Sequence, residues 1–444
     1  MNLDVGKILS QDFTKDLFPR NRELLSNLND IYELEIAFYE NRLLSDEELI
    51  RNAAYFAKIN EKYTRHFLMC AGQSLKLPDH SSSRLKSFFD KNIFRTGYAT
   101  HGLFPYRGKF HPQMIKGLMN IMGLKPGQTV LDPMMGSGTV MVEACLMGIR
   151  SIGVDASPFC RFMAQTKIDA LTMSLDRVRG ALANYEEVYA YFQKKVGISL
   201  PGSMSMHGKV SRYATDIMEP STDYTAGKDR LYSYHFLLLA YLDSAGYAER
   251  SNKKSPLDQF RAILERYLFV AEKIQRVIAG AETDLAEVEI LEGDARALTL
   301  ESSSVDGIIF SPPYSFAVDY LENDAFHLRF FGCDIERLHE KMIGLRGRTL
   351  AEKFRLYQED MDHVLAECAR VLKSGCFCTI IVGTNSNQLG KVMGVAPDEV
   401  AGLHEMMRDM GAKHGLLEIK RMSRPIIGIS NTLRREYILI FQRE

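Results

Sequence analysis

The chain has 444 residues, more than one ordinary domain holds, so two or three cores are expected, each with room to bury apolar side chains. Its apolar fraction of 46% and charged fraction of 25% are those of a soluble globular chain, and they exclude a disordered or membrane-embedded one. A net charge of −1 excludes a polycation that holds nucleic acid by bulk charge, so any nucleic-acid surface has to be local.

The first residues, MNLDVGKILS, form neither a basic n-region nor an apolar h-region, and no apolar run reaches the roughly 18 residues of a bilayer span. A cytoplasmic protein is expected. Seven cysteines without a CxxC pair argue against a disulfide framework and a structural zinc site, and no metal is expected. Residues 1–97 read as a helical N-terminal domain: Ser45-x-x-Glu48 is a capping box, and Leu49, Ala53, Phe56, Tyr63 and Phe67 follow at helical spacing. From Arg84 to His111, basic residues (Arg84, Lys86, Lys91, Arg95, Arg107, Lys109) alternate with Phe88, Phe89, Phe94, Tyr98, Tyr106 and Phe110. That pattern suits phosphates and bases, and equally suits a solvated helix face with a buried aromatic side.

From about residue 125 the pattern becomes strand, helix, strand: GQTVLDPM, then GTVMVEACLMG, then RSIGVDAS. Such βαβ alternation predicts an α/β fold with a mostly parallel sheet covered by helices. A largely helical insertion over 170–284 interrupts it. Ser255-Pro256 opens its last helix as a cap and N1 proline, and Phe260, Ile263, Leu264, Tyr267, Leu268, Ala271, Ile274 and Ile278 share one face. The alternation resumes with VEILEGDAR and VDGIIFSPPY, a helix carrying Met361, Val364, Leu365, Cys368 and Leu372, and the strand CFCTIIVG. GLLEIKRMS and REYILIFQ predict an antiparallel hairpin at the sheet edge.

Chemistry concentrates where strands end. In LDPMMGSGT, Gly136 and Gly138 let the backbone turn tightly at a helix N-terminus, whose free N–H groups suit an anion. A P-loop needs a lysine that is absent before Thr139, and a dinucleotide fingerprint needs glycine where Met141 stands. An S-adenosylmethionine pocket is the third reading. With Asp132 before the turn and Asp155 closing the next strand, a nucleoside crevice is favoured over a structural turn. Asp294 in EGDAR ends another strand, where it either faces the same rim or caps its own turn. Ser311-Pro312-Pro313-Tyr314 follows a buried strand. Prolines donate no backbone hydrogen bond, so nearby carbonyls and the Ser311 hydroxyl stay available as acceptors, and Tyr314 offers a flat face. Acceptors aimed at the hydrogens of an exocyclic amine redirect its lone pair toward an electrophile.

These elements resemble the S-adenosylmethionine-dependent amino-methyltransferases of DNA: YRGKFHPQMIKGLM (motif X), LDPMMGSGT (I), GVDAS (II), GDAR (III), SPPY (IV) and VLKSGCFCTIIVG (VI), in the family's order. The resemblance implies a class I, Rossmann-like methyltransferase core over 98–169 and 285–444, with the helical N-terminal domain and the insertion added to it. It implies S-adenosyl-L-methionine as cofactor, held by Phe110, His111, Asp132, Pro133, Gly136, Ser137, Gly138 and Thr139, with Asp155 on ribose and Asp294 on adenine. It implies that Ser311, Pro312 and Tyr314 hold the target amine and Pro313 fixes their turn, and that DNA is the partner, as a duplex with a flipped base or single-stranded. A restriction or defence partner is compatible with this. Serine in motif IV leans to cytosine N4 over adenine N6.

Two departures stand out. The largest extra segment lies between motifs II and III, so target recognition falls to the insertion, to the N-terminal helices, or to Arg337, Lys341, Arg346, Arg348, Lys353 and Arg355 after motif IV. The near-neutral charge argues against strong non-specific DNA affinity. The rivals are an RNA (tRNA) guanine-N2 methyltransferase, disfavoured by Ser311 in place of aspartate and by the helical N-terminus, and a catalytically silent nucleic-acid-binding adaptor.

Overall fold

The structure is a computed structural model, and it describes residues 17–26, 28–70, 97–106, 108–194, 224–250, 255–280, 284–313, 320–426 and 435–444. The chain begins with β1 (Arg22–Leu24), α1 (Ile31–Leu43), α2 (Asp46–Asn52), β2 (Phe56–Ile59), β3 (Lys62–Tyr63) and α3 (Arg65–Cys70). A 3-10 turn at Ala99–Gly102 leads to α4 (Pro112–Ile121), β4 (Thr129–Asp132), α5 (Thr139–Met147), β5 (Arg150–Asp155) and α6 (Pro158–Asp169). The insertion supplies α7 (Asp176–Ala183), α8 (Tyr185–Gln193), α9 (Tyr224–Arg250) and α10 (Pro256–Gly280). Then come β6 (Val288–Glu292), β7 (Val305–Phe310), α11 (Tyr320–Phe330), α12 (Ile335–His339), α13 (Leu350–Val371) and β8 (Leu372–Gly383). The chain finishes with α14 (Ser386–Met393), α15 (Leu403–Lys413), β9 (Leu416–Pro425) and β10 (Arg435–Arg443).

The main sheet has seven strands in the order β6-β5-β4-β7-β8-β10-β9. Strands β6, β5, β4, β7 and β8 pair in parallel, and β10 runs antiparallel to both β8 and β9, so the expected edge hairpin is present. This is the class I methyltransferase architecture. The strand order reverses between β4 and β7, and an open α/β sheet leaves its ligand crevice at such a switch point, outside the carboxyl ends of the strands. Val130, Leu131, Ile308, Ile309 and Phe310 at the sheet centre are fully buried, which is why both strands read as continuous apolar runs.

The N-terminal part differs from the all-helical expectation. Ser45 and Glu48 do form the capping box of α2, but Phe56 and Tyr63 lie on β2 and β3, and with β1 these make a three-stranded antiparallel sheet. The reason lies in Asn60-Glu61, which have φ of 48° and 62° and close a two-residue hairpin. Positive φ at both central positions matches the twist of the strands it joins, and the spacing of the aromatics imitates a helical period by coincidence.

This N-terminal layer shares a core with the sheet. Tyr32, Ile36, Tyr55 and Phe56 belong to one apolar cluster with Met114 and Leu118 of α4, Val130 of β4 and Ile438 of β10. A Cβ on Gly117 would lie 2.6 Å from Ile36 Cγ2, so only glycine lets α1 and α4 approach this closely. Across the same seam the Asn120 amide donates to Glu40 Oε1 at 2.6 Å, and Gln113 donates to the Ala54 carbonyl at 2.9 Å. A boundary at residue 97 therefore does not separate two cores.

The described residues of the insertion form the helices α7 to α10. Phe260, Ile263, Leu264, Tyr267 and Ala271 of α10 pack in one cluster with Phe236, Leu239 and Ala240 of α9, Phe159, Phe162 and Met163 of α6, and Leu321 and Leu328 of α11. No helix among the described residues is long and apolar enough to cross a membrane.

Candidate active site

At the switch point the chain leaves β4 through Asp132 and turns over Pro133–Gly138 before α5. Gly136 and Gly138 have φ of 52° and 75°, which side-chain-bearing residues adopt only at a cost. A Cβ on Gly138 would lie 2.7 Å from Ala164 Cβ, so this glycine also lets α6 pack against the turn. The turn is pinned to β5: Met135 N–H donates to the Val154 carbonyl at 3.0 Å, and Gly136 N–H donates to Asp155 Oδ2 at 2.8 Å. Asp155 Oδ1 accepts from Ser157 N–H at 2.8 Å, and the Ser157 hydroxyl caps α6 by accepting from Cys160 N–H. Burial in the cavity wall pushes the Asp155 carboxyl up to about 6, against the pull of the Ser157 and Gly136 amides.

A cavity of about 800 Å³ opens here, lined by the carboxyl ends of β4, β5, β6 and β7 together with residues from the loop before α4 and from α11 and α12. Of the residues singled out in the sequence, Phe110, Pro133, Gly136, Ser137, Thr139, Asp155, Asp294, Ser311 and Pro313 line it. Four lie behind the wall. Asp132 is fully buried, with Oδ1 accepting from Met134 N–H at 3.1 Å and Oδ2 without a partner among the described residues. Burial holds its carboxyl well above the usual range. Gly138 is the N-cap of α5, His111 the N-cap of α4, and Pro312 is buried at the end of β7. Tyr314 lies outside the described residues, as do Arg107 and residues 71–96, which hold most of the basic and aromatic stretch.

Asp294 combines both readings of it. Its Oδ1 accepts from Arg296 N–H at 2.9 Å, the side-chain turn expected of a capping aspartate, and the Arg296 guanidinium forks onto both carboxylate oxygens at 2.7 to 3.1 Å. Burial alone would raise this carboxyl, yet the guanidinium and the amide outweigh burial and hold it low. It lines the cavity all the same. Arg296 also reaches Asp360 at 2.8 Å and the Lys341 carbonyl at 2.9 Å, tying the end of β6 to α13.

The wall also holds Arg337 and Lys341, offered in the sequence for target recognition, Tyr106 and Lys109 of the basic and aromatic stretch, and Arg161, Glu292 and Asp324, which were not singled out in the sequence. Glu292, two residues before Asp294, pairs with Arg161 of α6 at 2.7 Å. The position of Glu292 at a strand end was a usable signal. Beneath the glycine turn, the fully buried Lys167 ammonium donates to the Ser137 carbonyl at 2.9 Å and is held well below its ordinary value by burial and by Lys109.

The crevice suits S-adenosylmethionine. The turn at Gly136, the N-terminus of α5, Asp155, Phe110 and Tyr106 all line the cavity. Together they offer amide donors for a carboxylate, an acceptor for hydroxyls, and apolar surface for a ring.

Comparison with known proteins agrees with this geometry. Residues 103–195 match the family described as the RMKL-like methyltransferase domain. Type II methyltransferase M.MjaII of Methanocaldococcus jannaschii is 22% identical, over 98% of this chain and 94% of that protein. That similarity runs over nearly the whole chain. A second such relative, Type II methyltransferase M.BsoBI of Geobacillus stearothermophilus, is 24% identical over 60% of this chain and 59% of that protein. A tRNA (guanine(10)-N2)-dimethyltransferase of Methanothermobacter thermautotrophicus is 40% identical, over 12% of this chain and 16% of that protein. The matched domain model and these three relatives are all methyltransferases.

Proposed function

We propose that this protein transfers a methyl group to an exocyclic amino group of a DNA base, cytosine N4 first and adenine N6 second. The observation that carries the reading is the meeting of Ser311 and Pro313, at the end of β7, with the Gly136 turn at the end of β4 on one cavity wall. A strand end rich in hydrogen-bond acceptors thereby faces the cofactor crevice across the switch point.

When bound, the cofactor supplies an electrophilic methyl group on a sulfonium. Ser137, Thr139 and the free amides at the N-terminus of α5 would hold its amino-acid end, and Asp155 would accept from its ribose hydroxyls. Ser311 and the carbonyl groups beside Pro312 and Pro313 would accept from the two hydrogens of the target amine and leave its lone pair available for the methyl group; the cofactor would depart as the neutral thioether and the methylated amine would give up one proton to solvent. On this reading Tyr314, which lies outside the described residues, would supply the flat face for the base. A base inside a duplex is out of reach of this crevice, so the target leaves the helix or is single-stranded to begin with. The two type II relatives support DNA as the polymer.

A second reading, transfer to guanine N2 in RNA, is favoured by the tRNA-methyltransferase similarity. The argument against it from a helical N-terminus loses force because residues 22–63 include a small sheet. Ser311 in place of aspartate still weighs against it. Incubation with labelled S-adenosylmethionine and separate pools of duplex DNA, single-stranded DNA and tRNA, followed by nucleoside mass spectrometry, separates the readings. N4-methylcytosine or N6-methyladenine in DNA supports the first, and label confined to RNA hands the case to the second. A protein that binds the cofactor but labels nothing is a silent adaptor.

A further inference from the structure

Phe104 has a φ of 58°, a left-handed conformation that a bulky side chain adopts only under constraint. The constraint comes from 163 residues away: the Tyr267 hydroxyl of α10 accepts from Phe104 N–H at 2.7 Å, and both residues are buried. The same hydroxyl donates to Asp243 Oδ2 of α9 at 3.1 Å, and Asp243 is in turn paired with Arg266 at 2.8 Å. On its other side the Phe104 peptide folds tightly, its carbonyl accepting from Tyr106 N–H at 3.0 Å. Tyr106 lines the cavity, and its ring lies where a Cβ on Gly136 would meet it at 3.7 Å, over the cofactor turn.

We propose that Tyr267 is a positioning residue for cofactor binding, its hydroxyl holding the strained Phe104 peptide and with it the Tyr106 wall over the glycine turn. The insertion thereby governs cofactor affinity from outside the cavity. The hydroxyl satisfies a buried N–H that has no other partner nearby in sequence, and it holds a conformation the backbone would otherwise relax. Without it the binding-competent loop is one state among several, and apparent affinity falls by the fraction that is competent. The inference rests on the cofactor occupying this cavity.

The test is calorimetric titration of S-adenosylmethionine into wild type, Tyr267→Phe, Asp243→Asn and Gln275→Leu, with melting temperatures measured alongside. Gln275 of the same helix instead ties α10 to the start of the insertion, donating to the Ala170 and Met173 carbonyls, away from the Phe104 loop. Tyr267→Phe is expected to raise the Kd about tenfold, as loss of one buried hydrogen bond implies, and to raise the KM for cofactor with kcat at saturating cofactor unchanged. Asp243→Asn should shift Kd in the same direction by less, and it carries the test if Tyr267→Phe fails to fold. Gln275→Leu should lower the melting temperature and leave Kd unmoved. Equal Kd values in wild type and Tyr267→Phe, or an equal rise in Gln275→Leu, overturn the inference. A wild-type protein that does not bind the cofactor overturns the functional reading beneath it instead.

Discussion

The Asp155 carboxylate accepts the Gly136 amide at 2.8 Å, so the end of β5 and the turn after β4 are fixed to each other at the cavity wall. One side chain thus shapes the turn and lines the crevice.

Because burial raises the Asp155 carboxyl to about 6, its charge is lost within an accessible pH range. Hydroxyls of a ribose bind best to the ionised form. Cofactor affinity is expected to be flat above about pH 7 and to weaken about tenfold per unit once the pH is well below 6. Asp155→Asn should bind more weakly at neutral pH and lose this pH dependence. Titration calorimetry between pH 5 and 8 checks both, and an unchanged slope in the variant would remove Asp155 from the ribose.

On the proposed mechanism, Ser311→Ala deletes one acceptor for the target amine. The expected outcome is a fall in kcat of about a hundredfold with the Kd for S-adenosylmethionine unchanged. Tyr314→Ala should likewise lose turnover and keep cofactor binding. A wild-type methylation rate in either variant is incompatible with the proposed mechanism.

Arg337 and Lys341 are exposed and reach the cavity mouth, whereas Arg346 and Arg355 are engaged by Asp360 and Glu359. If the first two take phosphates beside the target base, Arg337→Ala and Lys341→Ala should each lower the slope of log K against log salt by about one. Filter binding or fluorescence anisotropy across a salt series measures this. Arg355→Ala is the comparison and should leave the slope alone.

Under the glycine turn, Glu143 is fully buried with Lys116 at 3.3 Å, His101 at 2.7 Å and the Tyr98 hydroxyl at 2.5 Å. Burial would raise this carboxyl, but Lys116, His101 and Tyr98 outweigh it and hold it at about 2. Its folded value is therefore depressed, and its contribution to stability is complete above the ordinary 4.5 and is lost as the pH falls toward 2. Glu143→Leu leaves the Lys116 ammonium buried without its carboxylate and should cost about 3–5 kcal/mol. Adding Lys116→Met should recover part of that loss, as read by chemical denaturation.

The sheet was legible because each strand is an apolar run ended by a turn residue, and the crevice because Gly136, Asp155, Asp294 and Ser311 each stand at such an end. What was hidden depends on partners distant in sequence. Nothing near Phe104 announces Tyr267, and nothing near Asp294 says that Arg296 also grips Asp360. Asp132 looked like a wall residue because it shares a motif with Gly136, yet in a strand alternate side chains point to opposite faces, and it turned inward. Phe56 and Tyr63 imitated a helix across a hairpin whose turn, Asn60-Glu61, carries no glycine to mark it.

Gln275 bonds the last helix of the insertion to Ala170 and Met173 at its beginning. β5 and β6, neighbours in the sheet, are joined by the whole of that insertion, and closing so long a loop would ordinarily slow their pairing through lost chain entropy. With α9 and α10 packed against each other and Gln275 tying α10 to the start of the loop, much of the connecting chain is ordered by contacts within the insertion itself. The long connection between the edge strand β6 and its neighbour β5 is thereby shortened in effect, and the insertion works as a clasp on that edge of the sheet.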